Sequence, residues 1–161
     1  MESRKKRASQ LFKSGCNCAQ AVFAVFAEEY GIDEETALKI SASFGGGMGR
    51  MREVCGTVSA MFMVAGLETG TADMTDLKGK KYNYDVVQRL AELFKIENGS
   101  IVCKELLGLV PMNRSDVSVA EFKETTPEAR TKEYYKKRPC NELVENAVEI
   151  LEQVLFESEG A

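Results

Sequence analysis

The residues of this chain best suited to chemistry are its five cysteines, Cys16, Cys18, Cys55, Cys103 and Cys140. The 161 residues include no histidine, which removes imidazole from every catalytic or metal-binding scheme and leaves thiols, carboxylates, lysines and tyrosines. A deprotonated thiol is both a nucleophile and a ligand for soft metals. The sequence therefore directs attention to thiol–disulfide exchange or to metal binding by cysteine.

Four of the cysteines are expected at the same kind of position, the first turn of a predicted helix. They are Cys18, Cys55, Cys103 and Cys140. A helix N-terminus offers unpaired backbone N–H groups and about half a positive charge. Both favour the thiolate and lower the pKa of a cysteine placed there. For any single cysteine, packing as a small buried apolar residue is the competing interpretation.

A glycine cluster with two arginines precedes one of these cysteines. Arg50 and Arg52 follow the cluster and come shortly before Cys55. No predicted strand precedes the glycines and no Gly-Lys-Ser/Thr follows them, so a helix–helix turn with positive φ is favoured over a phosphate loop. The arginines could lower the pKa of Cys55 or hold an anion. We therefore predict that Cys55 is the nucleophile and that Cys18 is its resolving partner.

The elements that must position these thiols are all predicted to be helices. No stretch alternates with a period of two, and the run from Val54 to Leu67 has no charged side chain. This run is too short for a membrane span, which needs about 20 apolar residues, so we expect a central helix in the core. The fold class is an all-α, compact helical bundle of about six to seven helices, with residues 1–161 forming a single domain.

Periodicity and helix-end signals give the remaining predicted elements. Helices are expected over residues 2–14, 18–30 and from Asp33 to the glycine cluster, over 83–97, from the Ser100 cap through Leu107, and after Pro139. Residues 70–80 and 112–138 are predicted to be loops, with the run 136–138 on a solvated face. Packing all short helices on the two most apolar ones would bring the four helix-start cysteines into one pocket. Cys16 is expected outside it.

Composition excludes some classes of function. The net charge is −4 and tryptophan is absent, which argues against nucleic-acid binding. The basic cluster at residues 4–7 is separated from the apolar run 21–27 by polar residues, so a cytoplasmic protein is expected rather than a secreted one, with no membrane association. The run Met61–Met63 slightly favours a homodimer over burial within one chain.

Several of these segments together resemble the C-GCAxxG-C-C family of redox-active bacterial proteins. The similar segments are Asn17–Ala21, Phe44–Arg50, Val54–Gly56, Cys103–Gly108 and the late Cys140. The resemblance extends from about Leu11 to Leu155 and implies that the family's four cysteines are Cys18, Cys55, Cys103 and Cys140. Thr57 and Ala60 depart from the central Cys-Gly-Ala-x-x-Gly motif. The family implies a redox or cofactor role without an established reaction.

Two classes of function follow from these observations. In the leading hypothesis the four cysteines are catalytic in thiol–disulfide chemistry, as in a thiol-dependent oxidoreductase, and need no cofactor. In the alternative, Cys18, Cys55, Cys103 and Cys140 hold an iron–sulfur cluster or zinc without catalysis. An inert helical module with buried cysteines is a third interpretation. None of these names the substrate, the electron donor or the redox partner.

Overall fold

The computed structural model describes residues 2–114, 116 and 125–156, and the regular secondary structure within them is helical. The α-helices are α1 (Arg4–Lys13), α2 (Cys18–Ala27), α3 (Glu34–Ser41), α4 (Gly45–Met48), α5 (Gly56–Thr69), α6 (Leu77–Asn98), α7 (Cys103–Leu106), α8 (Lys132–Lys137) and α9 (Cys140–Leu151). Two 3-10 turns, Glu28–Tyr30 and Ala42–Phe44, and a π-turn, Glu152–Phe156, extend α2, α3 and α9. No strand occurs in these residues, which confirms the all-α prediction.

Two apolar helices lie side by side at the centre of the core. Every residue of α2 except Gln20 is buried, and α2 packs against α5 as well as α1, α3 and α9. A capping box fixes where α2 begins, since the Asn17 side chain accepts the Gln20 N–H and the Gln20 side chain accepts the Asn17 N–H. The first half of α5 is equally buried, but Gly66, Leu67 and Glu68 are exposed. The predicted pairing of these two helices is confirmed, and α2 rather than α5 is the more enclosed of them.

The structure corrects three helix boundaries. Residues 70–80 were expected to form a loop, but α6 begins at Leu77 because the Asp76 side chain accepts the Gly79 N–H. The predicted loop at 112–138 contains α8, which Thr131 caps in the same way. Ser100 does not cap α7, because its hydroxyl accepts the N–H of Val102 instead.

A short antiparallel contact places two helix starts next to each other. The segments before α5 and α7 form an isolated β-bridge between Val54 and Val102. The Cys55 N–H donates to the Ile101 carbonyl at 2.8 Å, and the Cys103 N–H donates to the Glu53 carbonyl at 2.6 Å. Cys55 and Cys103, which are far apart in the sequence, therefore begin their helices side by side.

The glycine cluster forms a left-handed turn. Five consecutive residues, from Gly46 to Arg50, have φ between 59° and 70°, and Arg52 has φ of 61°. The Arg52 N–H donates to the Gly46 carbonyl, and the next N–H along the chain donates to the Gly47 carbonyl. The predicted need for positive φ is confirmed, although it extends to non-glycine residues, for which this conformation is uncommon.

One chain already covers much of the cluster that suggested a homodimer. Met61 is fully buried, and Phe62 and Met63 are partly buried against the core. The homodimer therefore stays a prediction, and the run Met61–Met63 supports it less because its side chains already contact the core of one chain. Over the part of the chain that is described, none of the helices has the length and apolar character needed to cross a membrane.

Candidate thiol site

Four cysteines line one small cavity at the meeting point of their helices. Cys18, Cys103 and Cys140 are the first residues of α2, α7 and α9, and Cys55 is the N-cap residue of α5. The cavity has a volume of about 60 Å³ and is lined by all four. The predicted convergence of the helix-start cysteines is confirmed, and Cys16 is not among the lining residues.

The thiols of Cys18 and Cys55 line the same cavity, and each is the largest influence on the pKa of the other. Gly56 makes this arrangement possible, because a Cβ atom at that position would lie 2.6 Å from the Cys18 sulfur. On its other side the Cys55 sulfur lies 3.1 Å from the Thr57 hydroxyl. Both cysteines are buried, with 9% of Cys18 and 5% of Cys55 exposed.

Hydrogen bonding makes these two thiols unequal. The pKa of Cys18 is lowered from 9.0 to about 6, because its sulfur accepts hydrogen bonds from the Cys55 thiol and from the backbone N–H groups of Gly46, Ala19 and Cys18 itself, against the opposing effect of burial. The pKa of Cys55 is raised well above 9.0, because it donates to Cys18 and is buried beside it. Cys18 is therefore the thiolate of the pair, and Cys55 carries the proton. This distribution is the reverse of the one expected from the sequence.

Cys103 has the closest cationic partner of the four. Its sulfur accepts a hydrogen bond from Arg52 Nη1 at 3.7 Å. Burial raises the pKa of Cys103, and the Arg52 guanidinium opposes this rise. Gly47 packs against the same side chain, since a Cβ atom at Gly47 would be 2.6 Å from the Cys103 Cβ.

Cys140 is a weakly acidic thiol. Burial, together with the nearby thiols of Cys18 and Cys103, raises its pKa to about 12. Arg138 and Arg52 oppose the shift without offsetting it. Although Cys140 begins α9, its thiol is protonated at neutral pH.

The two arginines expected near Cys55 have other partners. Arg52 reaches Cys103, and Arg50 donates to the Thr126 carbonyl. Their predicted effect on the Cys55 thiol is therefore wrong. The left-handed turn extends past the glycines to Arg52 itself, whose side chain reaches Cys103 at the start of α7.

Three residues of the site come from a stretch that was predicted to be a solvated loop. Arg130, Tyr134 and Arg138 line the cavity, and only 19% of the Arg138 side chain is exposed. The Arg130 guanidinium lies 4.4 Å from the centre of the Phe12 ring and 5.0 Å from that of Tyr134. Helical spacing does not reveal this face, because Arg130 and Arg138 lie outside α8 and Arg130 is held by carbonyls far away in the sequence.

The arrangement does not fit a resident metal centre. Among the residues that the structure describes, no group of three or more cysteines and carboxylates is placed to hold a metal ion. All five cysteines are free thiols. The four thiols thus share a cavity without forming the compact donor set that a zinc ion or an iron–sulfur cluster requires.

Comparison with known proteins gives one match. The model of a family described as "Putative redox-active protein (C_GCAxxG_C_C)" matches residues 16–154. That range includes all four cysteines of the cavity. No curated protein and no solved structure matches the chain.

Proposed function

The chain belongs to the C_GCAxxG_C_C family of putative redox-active proteins, and from this premise we propose that it carries out reversible thiol–disulfide exchange through Cys18 and Cys55. The observation that supports the proposal is that these two buried thiols line one small cavity, where they give each other unequal pKa values, lowered at Cys18 and raised at Cys55. An attacking thiol needs a pKa near the ambient pH, and a resolving thiol must lie within reach of it.

The exchange follows from this asymmetry. The Cys18 thiolate attacks one sulfur of a disulfide, RSSR, so that a Cys18–SR bond forms and one RS⁻ leaves. Cys55 gives its proton to a departing thiolate and attacks the Cys18 sulfur, which releases the second half of the reagent. Two electrons pass from the protein thiols to the reagent: one RSSR becomes one RSH and one RS⁻, while Cys18 and Cys55 become a disulfide. The RSH carries the proton of Cys55, and the RS⁻ takes a proton from water where its own pKa requires one.

Cys103 and Cys140 have supporting roles in this proposal. Cys103 lines the same cavity and faces the Arg52 guanidinium, which stabilises a thiolate there. We assign Cys103 to the relay that opens the Cys18–Cys55 disulfide. Cys140, with its pKa of about 12, stays protonated and would act only after a neighbouring thiol has reacted.

Alkylation of the reduced protein between pH 5 and pH 10, resolved by peptide mass spectrometry, tests the assignment of the nucleophile. The alkylation of Cys18 is expected to have a midpoint near pH 6, whereas Cys55 should stay unmodified up to pH 9. A Cys18 midpoint near 9.0, equal to that of the denatured chain, would overturn the assignment.

Trapping experiments test the pairing. After oxidation with 2-hydroxyethyl disulfide, peptide mapping should find a Cys18–Cys55 link. Cys55→Ser should accumulate a mixed disulfide on Cys18, whereas Cys18→Ser should accumulate none on Cys55. Cys16→Ser is the matched control, since Cys16 lies outside the cavity lining, and it should form the link normally.

Visible absorbance and stoichiometric metal in anaerobically purified protein, both lost in Cys18→Ser, would favour metal binding instead.

A further inference from the structure

A second and larger cavity adjoins the thiol cavity. Its volume is about 370 Å³, which falls in the range of small-molecule sites. The two cavities share six lining residues, Asn17, Gly46, Arg52, Arg130, Tyr134 and Arg138. We call the larger cavity, which these residues and Arg50 line, the vestibule. Because six residues line both spaces, the vestibule lies next to the cavity that holds the buried Cys18 thiol.

The vestibule is strongly cationic. Arg50, Arg52, Arg130 and Arg138 line it, together with a single carboxylate, that of Glu128, which is paired with Arg138. Arg50 donates to one backbone carbonyl and Arg130 to two, and these neutral acceptors leave the charges of both guanidinium groups in place. Within the described part of the chain, Arg50, Arg52 and Arg130 have no ion pair.

The surroundings of Arg52 indicate that the vestibule binds an anion. Arg52 is only 7% exposed, and its one side-chain hydrogen bond in the described residues is to the Cys103 sulfur. A buried guanidinium without a carboxylate is costly unless another anion accompanies it. Its backbone is held at both ends, since its N–H donates to the Gly46 carbonyl and its carbonyl accepts the Lys104 N–H. The left-handed conformation of Arg52 is also the kind of local strain that is found at functional sites.

From these contacts we infer that the vestibule binds small disulfides that carry carboxylate groups, with Arg52 as the carboxylate-binding residue. The inference rests on the proposed exchange at Cys18. Guanidinium groups pair with carboxylates through two parallel hydrogen bonds, so Arg52 fixes the carboxylate at the wall between the two cavities. The disulfide of the same molecule then reaches the Cys18 thiolate. A small reagent fits this site better than a disulfide of a folded protein does, because Cys18 and Cys55 are buried and the cavity that they line has a volume of only about 60 Å³.

The electron balance is that of the proposed exchange. The reagent's S–S bond breaks, the Cys18–Cys55 bond forms, and two carboxylate-bearing thiols leave. The carboxylates take no part in the bond changes. They determine which disulfide is held, and the cationic walls raise its local concentration.

Three disulfides of similar chain length and different charge test the inference. They are 3,3′-dithiodipropionate, which is anionic, 2-hydroxyethyl disulfide, which is neutral, and cystamine, which is cationic. The rate of Cys18–Cys55 link formation in the full chain is measured by acid quench and mass spectrometry, and each rate is divided by that of the same reagent with free mercaptoethanol. The anionic reagent should be favoured over the cationic one by about tenfold or more, and less so at high salt.

Substitutions of Arg52 test whether this residue causes the preference for the anionic reagent. Arg52→Gln should abolish most of the advantage of the anionic reagent, measured as the ratio of the anionic to the neutral rate within the same variant, so that any change in the absolute rate cancels. Arg52→Lys should restore part of this advantage, since it keeps the charge and loses the planar fork. Arg89→Gln is the matched control, because Arg89 is an exposed arginine of α6 outside both cavities.

A competition experiment needs no variant and so remains valid if Arg52→Gln fails to fold. Octanedioate has the chain length of 3,3′-dithiodipropionate without its disulfide, and it should slow the anionic reagent in the wild-type protein, while its dimethyl ester should not. Equal normalised rates for all three disulfides, or no competition by octanedioate, would overturn the inference. If no reagent forms the Cys18–Cys55 link, the proposed function itself is wrong.

Discussion

The Cys18 sulfur lies against the backbone of Gly56, so closely that a Cβ atom on residue 56 would be 2.6 Å away from it. Contacts below 3.0 Å are essentially never made by real Cβ atoms. Because Cys55 directly precedes Gly56, the missing side chain leaves the space in which the Cys18 thiol meets the Cys55 thiol. A glycine is therefore required at this position for the thiol contact.

Gly56→Ala is expected to separate the two thiols. The added methyl group would also meet the Phe44 carbonyl at 2.9 Å, and backbone cannot easily yield. We expect the free energy of unfolding to fall by about 1–3 kcal/mol and the pKa of Cys18 to rise toward its ordinary value. Urea unfolding and pH-dependent alkylation measure the two effects.

Gly66→Ala in the same helix is the control for that substitution. No atom lies within 4 Å of a Cβ at Gly66, so alanine should be neutral or stabilise the helix by about 0.5–1 kcal/mol. If the two variants behaved alike, the close approach of Cys18 to Gly56 would not matter to the site.

The lowered pKa of Cys18 predicts how stability depends on pH. Between pH 6 and pH 9 the unfolded chain binds a proton at Cys18 that the folded chain does not, so stability should rise with pH in this window. The slope is at most about 1.4 kcal/mol per pH unit, and the contribution is lost as pH falls through 6. Above pH 9 the raised pKa of Cys55 acts in the opposite direction.

Urea unfolding of reduced protein at several pH values measures this contribution. Cys18→Ser is the reference, since serine does not titrate in this range, and the difference between the two proteins isolates the Cys18 thiol. A difference that stays constant from pH 6 to pH 9 would contradict the lowered pKa.

The cap of α2 gives a prediction about stability. Asn17 accepts the Gln20 N–H, and its amide group also donates to the Ala42 carbonyl at 3.0 Å, so it joins α2 to the segment before the glycine turn. Asn17→Ala should cost about 1–2 kcal/mol. Ser3→Ala removes the exposed cap of α1, which makes no such second contact, and should cost less. Thermal unfolding compares the two, and equal costs would show that the link to Ala42 contributes nothing.

The parts of the structure that the sequence predicted well depend on local interactions. Asn17 with Gln20 begins α2, and Gly31 and Gly99 end helices with positive φ, as such glycines commonly do. These signals act within a few residues, so the start of α2 at Cys18 could be located from a cap, whereas α5, α7 and α9 begin without a side-chain cap. The meeting of the four cysteines in one cavity followed because the apolar helices have to pack together.

The partners of the arginines could not be predicted, because they depend on contacts distant in sequence. Arg52 reaches Cys103 only after the left-handed turn and the Val54–Val102 bridge have formed. Arg130 donates to the carbonyls of Phe12 and Cys16, more than 110 residues earlier in the chain. The charged stretch that includes Arg130 has no periodic apolar pattern of its own, so composition alone suggested a solvated loop.

Two glycines of the left-handed turn differ in what surrounds them. Gly47 has φ of +70°, and a Cβ there would lie 2.6 Å from the Cys103 Cβ and 2.8 Å from the Arg52 Cα. Gly49 has φ of +59°, and the nearest atom to its Cβ would be the Ser43 carbonyl oxygen at 4.0 Å. Substitution of either glycine by alanine forces a side chain into the left-handed region, but only at residue 47 does it also meet fixed atoms.

Gly49→Ala is therefore expected to cost about 1–2 kcal/mol of unfolding free energy, which is the cost of the backbone conformation. Gly47→Ala should cost about 1–3 kcal/mol more, because the Cα of Arg52 is backbone and Cys103 is buried.

The new methyl group of Gly47→Ala should also push Cys103 away from the Arg52 guanidinium. Among the contacts of Cys103, this is the one that lowers its pKa most. Alkylation of Cys103 against pH should then shift to higher pH in Gly47→Ala and remain within about 0.3 pH units of wild type in Gly49→Ala. Equal stability losses and equal Cys103 profiles in the two variants would show that the turn acts through its dihedral angles alone, and that it does not hold Arg52 against Cys103.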